Sequence, residues 1–247
     1  MWFHELNPYR CAVLRKNFPG ATIIEGDIAK LSPADVPDGQ CHFFAGIGGF
    51  GLACEWARFD GALWTGGFPC QDVSCAGKGA GLDGERSGLW FEWLRLIRAR
   101  RPVRLLIENV PALRPRGYDR IHDALGEAGY SVWPIVVGAE AVACPLVSAR
   151  VWIVAQADEK LGPSRTRLQQ SDDQQVALLA RDCLERPCPD WREVVSAGSD
   201  GGMDDGVSDR VDRVEALGDS IVPQVAAAIL RAWKQADGKA MTITEVS

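Results

Sequence analysis

The chain has 247 residues, a formal net charge of -6 and a 47% hydrophobic content, which is enough for one α/β domain with a smaller lobe. No run of about eighteen apolar residues suggests a membrane span. The start, Met1-Trp2-Phe3-His4-Glu5, lacks the basic and apolar regions of a secretory signal, so a soluble, cytoplasmic protein is expected.

In chain order, Trp2 to Leu6 reads as a strand. Asn7-Pro8 then opens a helix, with Asn as cap and Pro at the first position, running to Phe18 before Pro19-Gly20. Ala21 to Ile24 is a strand ending in Glu25-Gly26-Asp27, and Leu31 to Gly39 is a polar, Pro-broken crossover. His42 to Ala45 is a strand, followed by a glycine turn and a helix through Ala57. Leu63 to Gly67 is the next strand. Ser87 caps a helix whose Trp90, Trp93, Leu94 and Ile97 share one face. Val103 to Ile107 is a strand, Tyr118 to Ala128 a helix, and Ser131 to Val137 and Val151 to Ala155 are strands. This alternation predicts a doubly wound, mostly parallel sheet. From Gln156 to Gly202 the pattern fades to polar, irregular sequence with one plausible helix near Gln175 to Leu184. Regularity returns in Val222 to Trp233, and from about Gln235 a loose tail is expected.

Eight cysteines, Cys11, Cys41, Cys54, Cys70, Cys75, Cys144, Cys183 and Cys188, form no paired framework and read as reduced thiols. Cys183 and Cys188 lack a second ligand pair, so no metal is expected. The acidic balance argues mildly against nucleic acid as a partner. The basic run Arg95, Arg98, Arg100, Arg101 and Arg104, with Arg114, Arg116 and Arg120 after it, reads first as a solvated helix face and only permits phosphate contacts.

Four elements carry chemistry. Gly66-Gly67-Phe68-Pro69-Cys70-Gln71 holds Cys70 in a rigid turn after an apolar strand, which puts its thiol at the sheet's carboxyl edge, where open α/β folds bind ligands. Phe43-Phe44-Ala45-Gly46-Ile47-Gly48-Gly49-Phe50 takes a strand through glycines into a helix, allowing close backbone approach to a ligand. Its spacing is not GxGxxG, so a diphosphate cofactor is not indicated. Glu5 and Asp27 end strands at the same edge, where a carboxylate can accept from ribose hydroxyls or an adenine amine. Glu108, ahead of Asn109-Val110-Pro111 and at the end of a buried strand, has the partial desolvation that raises a carboxyl pKa and suits proton donation.

With these residues in view, the chain resembles the DNA cytosine methyltransferases that modify carbon 5, including phage and prophage members. The matching blocks are Phe44 to Phe50, Gly66 to Gln71, Glu108 to Pro111, Arg150 to Ala155 and Gly218 to Val225, supported by the tract Gly66 to Trp90. The resemblance implies a Rossmann-like fold that uses S-adenosylmethionine, with Cys70 as nucleophile, Glu108 as its acid partner and Arg150 holding the flipped base or the acid. It implies a cofactor pocket of Phe44, Ala45, Gly46, Ile47, Gly49, Glu5, Asp27, Ile28, Pro69, Leu89 and Ser220. Gln71, Ser74, Lys78 and Arg86 would lie on a loop closing over DNA.

The chain also departs from the family pattern. Glu5 and Asp27 precede the glycine block instead of following it. His42 stands where an acidic residue is common, Leu146 and Ser148 replace a glutamine and an arginine, and Asp219 replaces an asparagine. The expected organisation is a catalytic and cofactor-binding domain over 1–155, a small target-recognition lobe over 156–217, a returning helix over 218–234 and a tail over 235–247. The expected partner is double-stranded DNA, met by a monomer in a bacterial or phage-infected cell, with a cognate restriction enzyme or a solitary phage role both open. Two rival readings stand beside this one: a degenerate relative that binds cofactor or DNA without methylating, and a thiol hydrolase, which would need a histidine such as His42 beside Cys70.

Overall fold

The computed structural model describes residues 1–69, 88–142, 149–157, 212 and 215–244, with Glu140 and residues 237–244 described by backbone alone. The elements are β1 (Trp2–Glu5), α1 (Pro8–Asn17), β2 (Thr22–Glu25), β3 (Gln40–Phe43), α2 (Gly49–Ala57), β4 (Leu63–Gly66), α3 (Leu89–Arg100), β5 (Arg104–Asn109), α4 (Leu113–Arg116), α5 (Tyr118–Glu127), β6 (Tyr130–Gly138), β7 (Ala149–Ala157) and α6 (Pro223–Thr244). Short 3₁₀ turns at Ile28–Lys30 and Pro33–Asp35 fill the crossover between β2 and β3.

The strands form one seven-stranded sheet in the order β2-β1-β3-β4-β5-β7-β6. Only β7 runs against the others, pairing antiparallel with both β5 and β6. The sheet is therefore mostly parallel, as the alternation of strands and helices predicts. Its spatial order also accommodates the unusual chain order: β1 sits between β2 and β3 and pairs in parallel with each. Glu5 thus finishes beside the glycine turn although 41 residues separate it from Gly46.

Side-chain alternation builds a core on each face. Trp64, Leu105, Ile107, Val151, Ile153 and Ala155 point into one cluster with Trp90, Trp93, Leu96 and Ile97 of α3 and Ile121 and Leu125 of α5. Leu63, Leu106, Trp152 and Val154 point into the other, with Ala53 and Cys54 of α2 and Val225 to Leu230 of α6. A third, smaller cluster joins Phe3 and Ala45 to Leu14 and Phe18 at α1. Period-two strands sandwiched by helices bury both faces, as mostly parallel sheets require.

Local signals place most boundaries. Asn7 Oδ1 accepts from the Arg10 amide at 3.2 Å, and Pro8 occupies the first helical position of α1. Several boundaries differ from expectation. The strand expected to stop at Ile107 continues through Glu108 and Asn109, because these pair with Trp152 and Val151 of β7. The last helix continues to Thr244, past the expected end at Trp233. Helix α3 begins at Leu89 behind Gly88, and Ser87, its expected cap, lies outside the described residues, as does the helix expected near Gln175 to Leu184.

The basic run on α3 is committed to the protein itself. Arg95 donates to Glu92 at 2.9 Å and to the Leu31 carbonyl at 3.0 Å. Arg98 pairs with Glu127 at 3.3 Å and Arg100 with Asp38 at 2.7 Å, while Arg101 donates to the Ala128 carbonyl at 2.7 Å. The Arg104 guanidinium stands 5.9 Å from the ring centroids of Phe59 and Trp233. These arginines make their described contacts within the protein, to neighbouring helices and to the β2–β3 crossover. No helix among the described residues is long and apolar enough to cross a membrane.

Candidate active site

The carboxyl ends of β1, β3, β4 and β5 converge on one edge, and the turn after β3 shapes its centre. Phe44, Gly46 and Gly48 all have positive φ, at 49°, 55° and 95°. For Phe44 that conformation costs roughly 1–2 kcal/mol, and its ring is held edge-on to Trp93 at a centroid distance of 5.9 Å. The Ala45 amide donates to the His4 carbonyl at 3.1 Å, and the Gly48 amide to the Ala45 carbonyl at 2.9 Å. A Cβ on Gly48 would lie 2.4 Å from Phe18 Cε2, and one on Gly49 would lie 2.7 Å from Ile221 Cγ1. The glycines are therefore a packing requirement as well as a torsional one.

Glu5 ties this turn to β1. Its Oε2 accepts from the Gly46 amide at 2.7 Å, and its Oε1 accepts from the Leu6 and Asn7 amides, both at 3.0 Å. An ionised carboxylate has about four acceptor sites. Three are used by the protein, which leaves capacity for a ligand hydroxyl, although the side chain is mostly buried. Phe44, half-buried and packed on the core beneath, gives the same edge an apolar wall, and Leu89 packs on the same core cluster. A ribose hydroxyl on Glu5 with an aromatic heterocycle against that wall fits these residues. Asp27 sits at the end of β2, where its Oδ1 accepts from the Ala29 amide at 2.9 Å, capping a 3₁₀ turn. Ile28 is only 3% exposed and belongs to the core beneath the edge.

A carboxylate–guanidinium pair lies at the end of β5. The Glu108 carboxylate meets Arg150 of β7, with Nε 2.9 Å from Oε1. Burial pushes the Glu108 carboxyl up from 4.5 to about 7, against the pull of the Arg150 charge and its hydrogen bond. Desolvation of the anion wins because the side chain is nearly enclosed. Near neutral pH the group is thus poised between acid and base. The loop leaving β4 runs directly past it: a Cβ on Gly67 would lie 2.9 Å from Glu108 Oε2. Asn109 Nδ2 donates to the Phe68 carbonyl at 3.1 Å, fastening that loop to β5. Pro69 is its last described residue. Cys70 follows in sequence and, with Gln71, Ser74, Lys78 and Arg86, lies outside the described residues, as do Leu146 and Ser148.

Opposite β5, the chain reaches the edge again before α6. Ser220 Oγ donates to the Ala216 carbonyl at 2.7 Å, and Ile221 abuts Gly49. Asp219 Oδ2 accepts from Arg10 of α1 at 2.6 Å. Among the expected site residues, the structure brings Glu5, Phe44, Ala45, Gly46 and Gly49 together in one turn. It joins Glu108 to Arg150 beside the loop ending at Pro69. Sequence reasoning missed Asn109, Gly67 and Arg10, whose roles depend on contacts across 41, 41 and 209 residues; for Gly67 and Asn109 the only local signal was membership of blocks already singled out.

The histidines are engaged elsewhere. His42 is fully buried, its Nδ1 2.8 Å from Thr65 Oγ1, and burial pulls its pKa down to about 3. His4 packs against Trp2 and Phe43, and burial pulls it down to about 4. His122 lies on α5, 3.2 Å from Asp123. Among the described residues no group of three or more His, Cys, Asp or Glu side chains is arranged to hold a metal ion.

A family model described as C-5 cytosine-specific DNA methylase matches residues 1–196. The type II methyltransferase M.NgoFVII of Neisseria gonorrhoeae is 31% identical over 160 residues, covering 62% of this chain and 37% of that protein. M2.BsuMI of Bacillus subtilis is 35% identical over 161 residues, covering 62% of this chain and 35% of its own length. The chain thus spans little more than a third of the length of these curated relatives. Among solved structures it is similar to the Schizosaccharomyces pombe Dnmt2 methyltransferase, with a TM-score of 0.45 and 20% identity over 64% of this chain and 43% of that one.

Proposed function

The chain belongs to the C-5 cytosine-specific DNA methylase family, and from that premise we propose that it transfers a methyl group from S-adenosylmethionine to carbon 5 of cytosine in a short duplex DNA site. The observation that carries this reading is the pair of buried Glu108 and half-buried Arg150, 2.9 Å apart, with the loop that ends at Pro69 running past the Glu108 carboxylate. A carboxyl that titrates near neutrality can supply the proton that addition of a thiolate to a pyrimidine needs.

The target cytosine leaves the duplex stack, since carbons 5 and 6 are unreachable within it. Cys70, as thiolate, forms a bond to carbon 6. The charge that develops on the ring is taken up at nitrogen 3 by the Glu108 proton, and Arg150 holds the resulting carboxylate. Bound S-adenosylmethionine would supply an electrophilic methyl group to carbon 5, the methyl–sulfonium bond breaking and the neutral thioether S-adenosylhomocysteine leaving. A solvent base then removes the carbon 5 proton, the bond to sulfur breaks, Cys70 departs as thiolate and nitrogen 3 returns its proton to Glu108.

In this reading Glu5 accepts from the cofactor's ribose and Asp27 from its adenine amine. Phe44, Ala45, Gly46, Ile47 and Gly49 line the pocket, with Ile28 beneath and Pro69, Leu89 and Ser220 as walls. Gln71, Ser74, Lys78 and Arg86 serve DNA, and the protein acts as a monomer. Residues 156–217 read the site. The buried bond of His42 to Thr65 weighs against a thiol hydrolase, which needs an imidazole free to serve its cysteine.

The test is base-resolution 5-methylcytosine sequencing of a plasmid from methylation-deficient bacteria expressing the chain, beside Cys70→Ala. Methylation at one short motif, lost in the variant, is the expected result. Soluble protein that binds S-adenosylmethionine and leaves the plasmid unmethylated would establish the degenerate reading instead.

A further inference from the structure

Arg10 stands on the first turn of α1, the helix that directly follows Glu5 and β1, and reaches the segment that leads into α6. Its Nη2 lies 2.6 Å from Asp219 Oδ2 and 3.7 Å from Glu215 Oε1, and its side chain is 15% exposed. The segment it grips is built as a tight turn: the Asp219 amide donates to the Glu215 carbonyl at 3.0 Å and the Ser220 amide to the Leu217 carbonyl at 3.2 Å. These bonds run within the segment and do not attach it to the sheet. Attachment comes from the buried Ala216, from Ile221 and Val222, which pack on the core with Ile221 resting on Gly49, and from the two acidic side chains that meet Arg10.

We propose that Arg10 is a positioning residue for the cofactor edge, its grip on Asp219 and Glu215 fixing the turn that holds Ser220 and Ile221 against the glycine turn. A partly buried guanidinium shared by two carboxylates is better ordered than an isolated surface pair, because one partner is already immobilised by packing. Without the grip, the turn must be ordered when a ligand binds, and that entropy is subtracted from affinity. The grip also accounts for an aspartate at position 219, since a neutral amide would offer Arg10 a weaker partner. The two ends of the described chain, 209 residues apart, thus meet at the one edge where the cofactor is proposed to bind.

The inference rests on the reading of this edge as an S-adenosylmethionine site. The experiment is calorimetric titration of the full chain with S-adenosylmethionine, comparing wild type with Arg10→Gln, Asp219→Ala and the exchange Arg10→Asp with Asp219→Arg. Arg10→Gln keeps most of the stem, so its packing and folding are retained. Each single variant should bind roughly threefold to tenfold more weakly, in line with a partly buried ion pair. The Michaelis constant for cofactor should rise in step while turnover at saturating cofactor holds. The exchange should recover part of the affinity, since Glu215 still faces position 10. Wild-type affinity in Arg10→Gln, or no recovery in the exchange, overturns the proposal while the cofactor reading stands. Failure of the wild type to bind S-adenosylmethionine overturns both.

Discussion

Glu108 and Arg150 are diagonal neighbours on one face of an antiparallel ladder: Glu108 pairs directly with Trp152, and Arg150 stands two residues before it on β7. Side chains so placed come within reach of each other when they are long, and here Nε and Oε1 meet at 2.9 Å. The pair also depends on β7 being the sheet's reversed strand. The carboxyl end of β5 and the beginning of β7 then share one edge, so an arginine that starts a strand lies beside an acid that ends one.

Removing Arg150 takes away the influence that lowers the Glu108 pKa and leaves burial unopposed. Arg150→Ala should therefore raise that carboxyl above about 7 and strand it as a buried acid without an ionic partner. In single-turnover methylation the rate should fall on the order of a hundredfold, the scale of a mispositioned general acid. Its alkaline limb should move to higher pH. An unshifted limb would separate Arg150 from the titration of Glu108.

The sign of the Glu108 shift makes a second prediction, on stability. A carboxyl with a folded-state pKa raised from 4.5 to about 7 costs the fold nothing while protonated in both states, below about pH 4.5. Between about pH 4.5 and 7 the unfolded chain ionises while the folded state keeps its proton, so stability is lost across that window and levels off above it. Glu108→Gln cannot ionise. Melting temperatures taken from pH 4.5 to 7.5 should show the wild type losing ground to Glu108→Gln as pH rises, and parallel curves would contradict the shift.

Gly67→Ala tests how closely the Cys70 loop is seated. The added Cβ would lie 2.9 Å from Glu108 Oε2, an atom that cannot swing away freely because the same carboxylate is held by Arg150. Either the loop or the carboxylate must move. Displacement of about 1 Å at such a site costs on the order of a hundredfold in rate, with about 1–3 kcal/mol of stability from overpacking. Single-turnover kinetics together with chemical denaturation would separate the two effects.

Much of this architecture is legible in sequence because its signals are local. Asn7-Pro8 starts a helix by capping, Pro19-Gly20 ends it, and alternating residues in β4, β5 and β7 reveal strands with both faces buried. The misread features are the non-local ones. Glu108 and Asn109 extend β5 only because β7 pairs with them. The arginines of α3 read from sequence as a solvated helix face, and their pairing with Asp38 and Glu127, 62 and 29 residues away, is visible only in the fold. The candidate site divides in the same way: Glu108 and the glycine turn announce themselves by residue type, whereas Asn109 and Arg10 acquire roles only through distant partners.

The glycine turn allows torsion and packing to be measured apart. Gly46 and Gly48 both have positive φ, yet a Cβ on Gly46 would meet nothing within 4 Å, whereas one on Gly48 would lie 2.4 Å from Phe18 Cε2 and 3.0 Å from Leu14 Cδ2. Gly46→Ala should therefore cost only the torsional term, roughly 1–2 kcal/mol. Gly48→Ala adds overpacking against α1 and should cost about 2–5 kcal/mol in total. Urea denaturation of the two variants should rank them in that order. Because α1 belongs to the segment that precedes the glycine block, Phe18→Ala should recover part of the loss at Gly48 and none at Gly46. Equal losses at both positions, or no recovery, would mean that the β1–α1–β2 unit is not packed against the turn as the structure has it.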